Sequence, residues 1–187
     1  MKIKHIIYLS LLLLCSCKNT SQSEASENKD SNVAAANLFI DAFYSFKRDS
    51  LKATLSQATE SQLSILYYQK WAECGNYEII KRHNCIERND SLVICPVTVK
   101  DDLMGALNIN INVTDTFHLT IKKRQILSVK TSSNDPDMYY QAEEWIKKNR
   151  PELIEEPCKG AWEGGPTPCE CVQAMVKGLI EFKANEK

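Results

Sequence analysis

Three patterns predict an α+β fold, in which N-terminal helices pack on a curved antiparallel sheet and two further helices follow at the C-terminus. Apolar residues recur at helical spacing between Ala36 and Trp71. From Ile79 to Thr131 the period drops to two, in β-rich runs broken by turn residues. After Asp135-Pro136 the helical period returns, and a second start signal follows at Thr167-Pro168.

The chain opens ahead of that fold. Lys2 and Lys4 precede an apolar run, Ile6 to Leu14, with small Ser16 just before Cys17. This is the layout of a secretory signal peptide, and the run is shorter than the ~20 residues a spanning helix needs. Leu14-Cys15-Ser16-Cys17 resembles a bacterial lipobox. The resemblance implies cleavage before Cys17, acylation of its thiol and new amine by palmitate-type chains, and a lipoprotein held to a membrane. Cys15 is a poorer acceptor, since cleavage there would put bulky Leu14 in the small-residue position. An ordinary signal peptide would leave Cys17 a plain cysteine. The predicted organisation is a signal peptide over 1–16, lipidated Cys17 with a disordered tether to residue 32, and one domain over 33–187. From Lys18 to Asn32 there is no aromatic or branched aliphatic residue to bury. As a flexible coil this stretch would hold the domain some ~20 Å from its anchor.

Within the domain, Ala36, Phe39, Ile40, Phe43 and Phe46 form the stripe of a first helix. Thr59 and Gln62 have the spacing of a capping box; Leu63, Leu66, Tyr67 and Trp71 then share a face, and Gly75 is a fitting stop. Ile79–Ile86 and Leu92–Val99 flank an Asn89-Asp90 turn. Leu107–Val113 alternates apolar residues with three asparagines and is expected to run into Phe117–Ile121 as one long strand, bent at Thr114-Asp115. Lys122–Gln125 turns the chain into Ile126–Thr131. Asp135 before Pro136 reads as an N-cap with proline at the first helical position. Met138, Ala142, Trp145 and Ile146 mark the buried face, and Pro151 ends the helix. Thr167-Pro168-Cys169-Glu170 starts the last helix, with Val172, Met175, Val176 and Leu179 inward.

Removing Lys2 and Lys4 with the signal leaves 21 basic against 24 acidic residues. A mildly acidic chain without a basic stripe does not suit nucleic acid. Six cysteines remain: Cys74, Cys85, Cys95, Cys158, Cys169 and Cys171. In an exported chain an even number points to disulfides. Cys169 and Cys171 lie ~200° apart on a helix and need different partners. Three cysteines precede residue 100 and three follow 150, so complete pairing forces at least one bond between the halves. The expected pairs are Cys85–Cys95 across the hairpin, Cys158–Cys169 and Cys74–Cys171. A zinc site would draw on Cys158, Cys169, Cys171 and His83, but a second close ligand pair is missing and the compartment favours disulfides. No metal or cofactor is expected.

The stretch VTDTFHLTIKKRQILSVKT (113–131) resembles the long hairpin of nuclear transport factor 2-like proteins, with their SnoaL-like and cystatin-like relatives. Spaced Ala and Phe over Ala36–Phe43, and Trp145 followed by Arg150-Pro151, match other parts of that superfamily. The six cysteines and the extra terminal helix depart from it. The lysine-, asparagine- and isoleucine-rich composition suits a Bacteroidota-type lipoprotein with such a domain. The resemblance implies a cone-shaped domain whose sheet wraps an apolar pocket closed by the N-terminal helices. It implies no single activity, because this scaffold hosts enzymes and pure binding modules alike.

Enzymes of that scaffold place Asp, Glu or His in the pocket. His83 shares a strand face with Ile79 and Cys85, and Asp41 stands near Tyr44 on the first helix, so these two are the candidate bases. His118 alternates with Phe117 and Leu119 and should face outward. Asp101-Asp102 reads as a solvated loop, and Asp115 as a turn residue at the bend. Tyr44 and Tyr68, at the edges of their stripes, are candidate pocket-mouth residues. Three functions follow as expectations. The first is a lipid-anchored envelope protein that binds a small apolar ligand or a protein partner without catalysis. The second is an isomerase-, dehydratase- or hydrolase-type enzyme of the same fold. The third is a disulfide-stapled interaction lipoprotein with no pocket. Alkylation of the native exported protein is expected to label none of the six domain cysteines until it is reduced; four or more free thiols would overturn the disulfide assignment.

Overall fold

The computed structural model describes residues 20–109, 111–161 and 169–186, with side chains from Asn32 onward. The signal segment, Cys17 and the Thr167-Pro168 start signal lie outside the described residues. The architecture is α+β: an open, curved antiparallel sheet with helices before and after it.

Helix α1 spans Thr20–Tyr44. Residues 20–32, expected as tether, have helical backbone. Adding a turn to a packed helix costs far less than nucleating one, and Gln, Glu, Ala and Lys in this stretch are good helix formers. The fold proper takes hold at Asn32, which is buried. Its amide donates to Asp90 O at 3.3 Å and its Oδ1 accepts from Arg124 N–H at 3.4 Å, so one side chain ties the helix to two hairpin turns. Ala36, Phe39, Ile40 and Phe43 are buried as their spacing requires; Phe46 lies past the helix end with φ +55°.

A short α2 (Arg48–Thr54) leads to α3 (Thr59–Cys74). The Thr59–Gln62 capping box is not formed. Ala58 precedes the helix and already accepts from Ser61 and Gln62 N–H, while the Gln62 side chain donates to Leu55 O at 3.2 Å. The buried face is Ile65, Leu66, Gln69, Trp71 and Ala72, leaving Leu63 exposed. Buried Gln69 donates to Ala42 O and Phe43 O (3.1 and 2.9 Å), adding a bond to two carbonyls in the last turn of α1.

Strands β1 (Glu78–Arg82) and β2 (Ile86–Glu87) both pair with β3 (Leu92–Lys100), so the first expected strand is present but broken at His83–Cys85. The polypeptide then folds α4 (Asp102–Ala106), and residues 107–109 and 111–112 are not strand. Asp101 caps α4, accepting from Met104 N–H at 2.9 Å. Leu103, Met104 and Leu107 have helical spacing and are buried. The alternation from 107 is therefore spent on a helix and its exit, and Ile111 is exposed. Strand β4 (Val113–Lys122) pairs with β3 and with β5 (Gln125–Ser132). Lys123 and Arg124, at φ +52° and +65°, form the two-residue turn whose twist suits a hairpin.

Helix α5 (Asp137–Asn149) starts after Pro136, so proline sits one position earlier than expected and Asp135 does not cap. Its carboxylate accepts instead from Tyr140 Oη at 3.4 Å. Pro151 opens a short α6 (Pro151–Ile154), and α7 spans Cys169–Asn185. Gly178 lets α7 lie against α5: a Cβ there would sit 2.6 Å from Ile146 Cδ1.

Among the described residues three disulfides are formed: Cys85–Cys95, Cys74–Cys169 and Cys158–Cys171. Cys169 and Cys171 do bond different partners, but those two partners are exchanged relative to expectation. The turn after α6, closed by Cys158 N–H to Ile154 O, sets Cys158 beside the buried face of α7 where Cys171 lies. Cys169 is left for the end of α3. Two cores result. Phe39, Phe43, Val97, Phe117 and Leu119 fill the space between sheet and N-terminal helices. Trp71, Leu107, Ile146, Met175 and Leu179 fill that between α3, α4, α5 and α7. Tyr68 and Tyr77 pack against both. In the chain-entropy picture, the 95-residue separation of Cys74–Cys169 contributes about 4.7 kcal/mol and the 10-residue Cys85–Cys95 about 2.7 kcal/mol. Urea unfolding is therefore expected to show Cys74→Ala/Cys169→Ala less stable than Cys85→Ala/Cys95→Ala, by about 2 kcal/mol.

Candidate functional site

Of the five buried polar residues among the described ones, four serve the backbone. Asn32 and Gln69 bond carbonyls, and Ser61 Oγ accepts from Val129 N–H at 2.9 Å. Asp101 caps α4. The fifth, Asp115, is 2 % exposed and bonds side-chain hydroxyls instead. It sits on β4 in phase with Val113, Phe117, Leu119 and Ile121, every one of which is buried. Two-residue periodicity thus turns its carboxylate to the core face. The expectation of a bend at Asp115 is corrected: it pairs with Val97 in the β3–β4 ladder.

The carboxylate opens on a cavity of about 400 Å³ at the seam between the two cores. Helix α3 supplies Tyr67, Tyr68 and Trp71, with Trp71 three and four residues beyond the two tyrosines and so beside both. Tyr77 comes from the loop after α3, and Leu103 and Met104 from α4. The end of β5 and the loop beyond it give Thr131, Ser132, Ser133 and Asp135. Helix α5 closes the side with Tyr139, Tyr140 and Glu143. Three carboxylates and five tyrosines line the cavity, beside the apolar Leu103 and Met104.

Tyr44 Oη donates to Asp115 Oδ2 at 3.2 Å, and the Tyr68 hydroxyl supports the same carboxylate. Burial pushes the Asp115 carboxyl up to about 6, against the pull of these two hydroxyls; the nearby charges of Asp135 and Asp101 add to the rise. Burial likewise raises the hydroxyls of Tyr44, Tyr68, Tyr77 and Tyr139, so all four remain donors across the neutral range. Asp101 is raised by burial despite its backbone bonds. Glu143 is raised by burial, against a bond from Tyr139 and the charge of Lys147.

The residues expected to act are distributed differently. Tyr68 is among the residues lining this cavity, and Tyr44 stands behind Asp115 and holds it. Asp41 is exposed on the outer side of α1 and ion-pairs with Arg82, well placed for neither pocket nor proton transfer. His83 bonds Thr98 Oγ1 at 3.0 Å in a surface groove with Asn37, Arg82 and Cys85, apart from the Asp115 pocket. His118 faces out as alternation requires and bonds Ser132 Oγ at 2.9 Å. Asp101, expected in solvent, is buried as a helix cap. The site residues that went unassigned are Asp115, Tyr77, Tyr139 and Glu143. Asp115 had a legible signal, its parity with Phe117 and Leu119. Tyr139 and Glu143 had none, because α5 reaches the pocket only through tertiary packing, nor did Tyr77 in the loop after α3.

Among the described residues no group of His, Cys, Asp and Glu has the arrangement of a metal site, and no helix is long and apolar enough to cross a membrane. The chain matches no protein-family model, no curated protein and no solved structure.

Asp115 makes a signed prediction. Its folded value lies above the ordinary 3.8, so folding favours the protonated form. That stability is fully present below about pH 4 and lost as pH rises through about 6. Relative to Asp115→Asn, wild-type stability from urea midpoints is expected to fall between pH 4 and 7 by on the order of 2–3 kcal/mol.

Proposed function

We propose that this domain binds a small molecule in the Asp115 pocket, and that the chain is a lipid-anchored envelope protein. The observation that carries the first part is a buried carboxylate aimed, with tyrosine support, into a cavity of about 400 Å³. Keeping a carboxylate out of water without a cation beside it opposes folding. The core position would be filled more cheaply by an apolar residue, and a ligand that uses the group is the reason the pocket supports. The mixed lining calls for a ligand with both an apolar body and a polar end. The second part rests on Lys2 and Lys4, the apolar run and Leu14–Cys17, and it makes the membrane a partner through lipid. The nuclear transport factor 2-like resemblance agrees with helices before a curved antiparallel sheet, and membership of that superfamily remains part of the proposal.

A second reading, acid–base catalysis, is favoured by one observation: Asp115, at about 6, exchanges its proton readily near neutrality. In that reading Asp115 takes or gives the proton, Tyr44 and Tyr68 stabilise its charged form, and the tyrosine hydroxyls donate to developing negative charge. A rate that rises with pH through about 6 and is lost in Asp115→Asn would favour it over pure binding.

The binding reading is tested by ligand-observed NMR with a mixed library of small aromatic fragments. Fragment signals are expected to broaden with wild type and not with Ser133→Trp, whose indole would fill the pocket from its exposed rim. Equal broadening with both proteins would move the binding elsewhere. Metabolic labelling with palmitate is expected to mark the wild-type chain and to miss Cys17→Ser; label on the variant would remove the anchor assignment.

A further inference from the structure

The whole lining of the Asp115 pocket has an unusual balance. Among the described residues, six aromatic side chains and three carboxylates line it, and no lysine, arginine or histidine does. The carboxylates arrive from separate elements: Asp115 from β4, Asp135 from the loop before α5, and Glu143 from α5. We infer that the ligand is an organic cation, an aryl or alkyl ammonium whose charged end lies against Asp115 and whose body is held by the tyrosine and tryptophan rings. The inference rests on the reading of this cavity as a small-molecule site and names the ligand class for it.

The physical case has three parts. Aromatic faces carry partial negative charge and attract a cation, more strongly when both are out of water. Tyr67, Tyr68 and Trp71 come from α3 and Tyr139 and Tyr140 from α5, so an occupant meets rings from two helices. A carboxylate accepts about four hydrogen bonds; Tyr44 and Tyr68 take part of that capacity at Asp115, and an ammonium N–H would take more as a charge-assisted bond. Finally, the carboxylates are poorly compensated by the protein. Asp115 and Glu143 are raised by burial, and Asp135 raises both through its charge. Lys147 offsets Glu143 in part, but it is bonded to Glu144 at 2.8 Å and points away to the exposed side of α5. An anion entering this space would meet three like charges, and a neutral body would leave them uncompensated. A cation relieves them.

The experiment is a charge series of similar size: 2-phenylethylammonium, 2-phenylethanol and phenylacetate, titrated at pH 7 into wild type, Asp115→Asn and Glu143→Gln, with tryptophan fluorescence and pocket NMR shifts as readouts. The expected result is that the ammonium binds at least ~10-fold more tightly than the alcohol, while the carboxylate does not bind. Asp115→Asn is expected to cut ammonium affinity ~10-fold or more and to leave the alcohol unchanged; Glu143→Gln, on a half-buried surface helix, should weaken the ammonium less. These figures correspond to one charge-assisted contact in a desolvated site. If the alcohol or the carboxylate binds as well as the ammonium, or if Asp115→Asn leaves the ammonium untouched, the cation assignment fails and the pocket reading stands. If neither these probes nor the mixed fragment library perturbs the pocket, both fail together. Circular dichroism and urea midpoints guard the variants; an Asp115→Asn protein that is folded and no less stable than wild type makes any lost binding a matter of charge.

Discussion

The pleat of β4 governs most of what this molecule can do. Successive side chains of a strand point to opposite faces, and β4 is hydrogen-bonded on both sides, to β3 and to β5. A slip by one residue would turn Phe117, Leu119 and Ile121 out to solvent, so the register is strongly held. The same register obliges Asp115 to face inward. Packing energy from three large apolar neighbours therefore keeps a carboxylate where its own solvation would not. The surrounding helices answer that constraint. Tyr44 at the end of α1 and Tyr68 on α3 bring hydroxyls to the carboxylate, and the ring of Phe117 lies 4.9 Å from that of Phe43 between them.

The cavity exists because two cores meet without merging. The sheet and α1 to α3 make one, and α3, α4, α5 and α7 the other. Helix α3 belongs to both, presenting Leu66 to the first and Trp71 to the second. The second core is fastened by Cys74–Cys169 and Cys158–Cys171, and by the close approach of α7 to α5 at Gly178. These fastenings hold α5 beside the open end of the sheet, where Tyr139 and Glu143 complete the wall. The C-terminal helices are thus part of the site.

Several sequence signals misled for a common reason: a local pattern was satisfied by a different local partner. Thr59 and Gln62 have the spacing of a capping box, yet the preceding turn already supplies Ala58 O, and Gln62 reaches Leu55 O. Leu107 to Val113 alternates like a strand, yet Leu103, Met104 and Leu107 also share a helical spacing that is buried against α7 once Asp101 caps the turn. Asp135 has the position of an N-cap, yet its carboxylate bonds Tyr140. In each case two arrangements fit the local sequence; a nearby hydrogen-bond partner decided the first and third, and burial against α7 the second.

The sequence by itself determined the α+β class, the stripe from Ala36 to Phe43, the β4–β5 hairpin, the outward His118 and the need for Cys169 and Cys171 to bond apart. All of these follow from periodicity or helix geometry, which act within a few residues. It also held the parity that buries Asp115. Only the tertiary structure decided which partners Cys169 and Cys171 take, that Asp41 and His83 lie outside the pocket, and that tyrosines and carboxylates from five separate stretches line one space. Those outcomes depend on the distance between elements far apart in the chain, a quantity set by how the two cores pack and not by any local spacing.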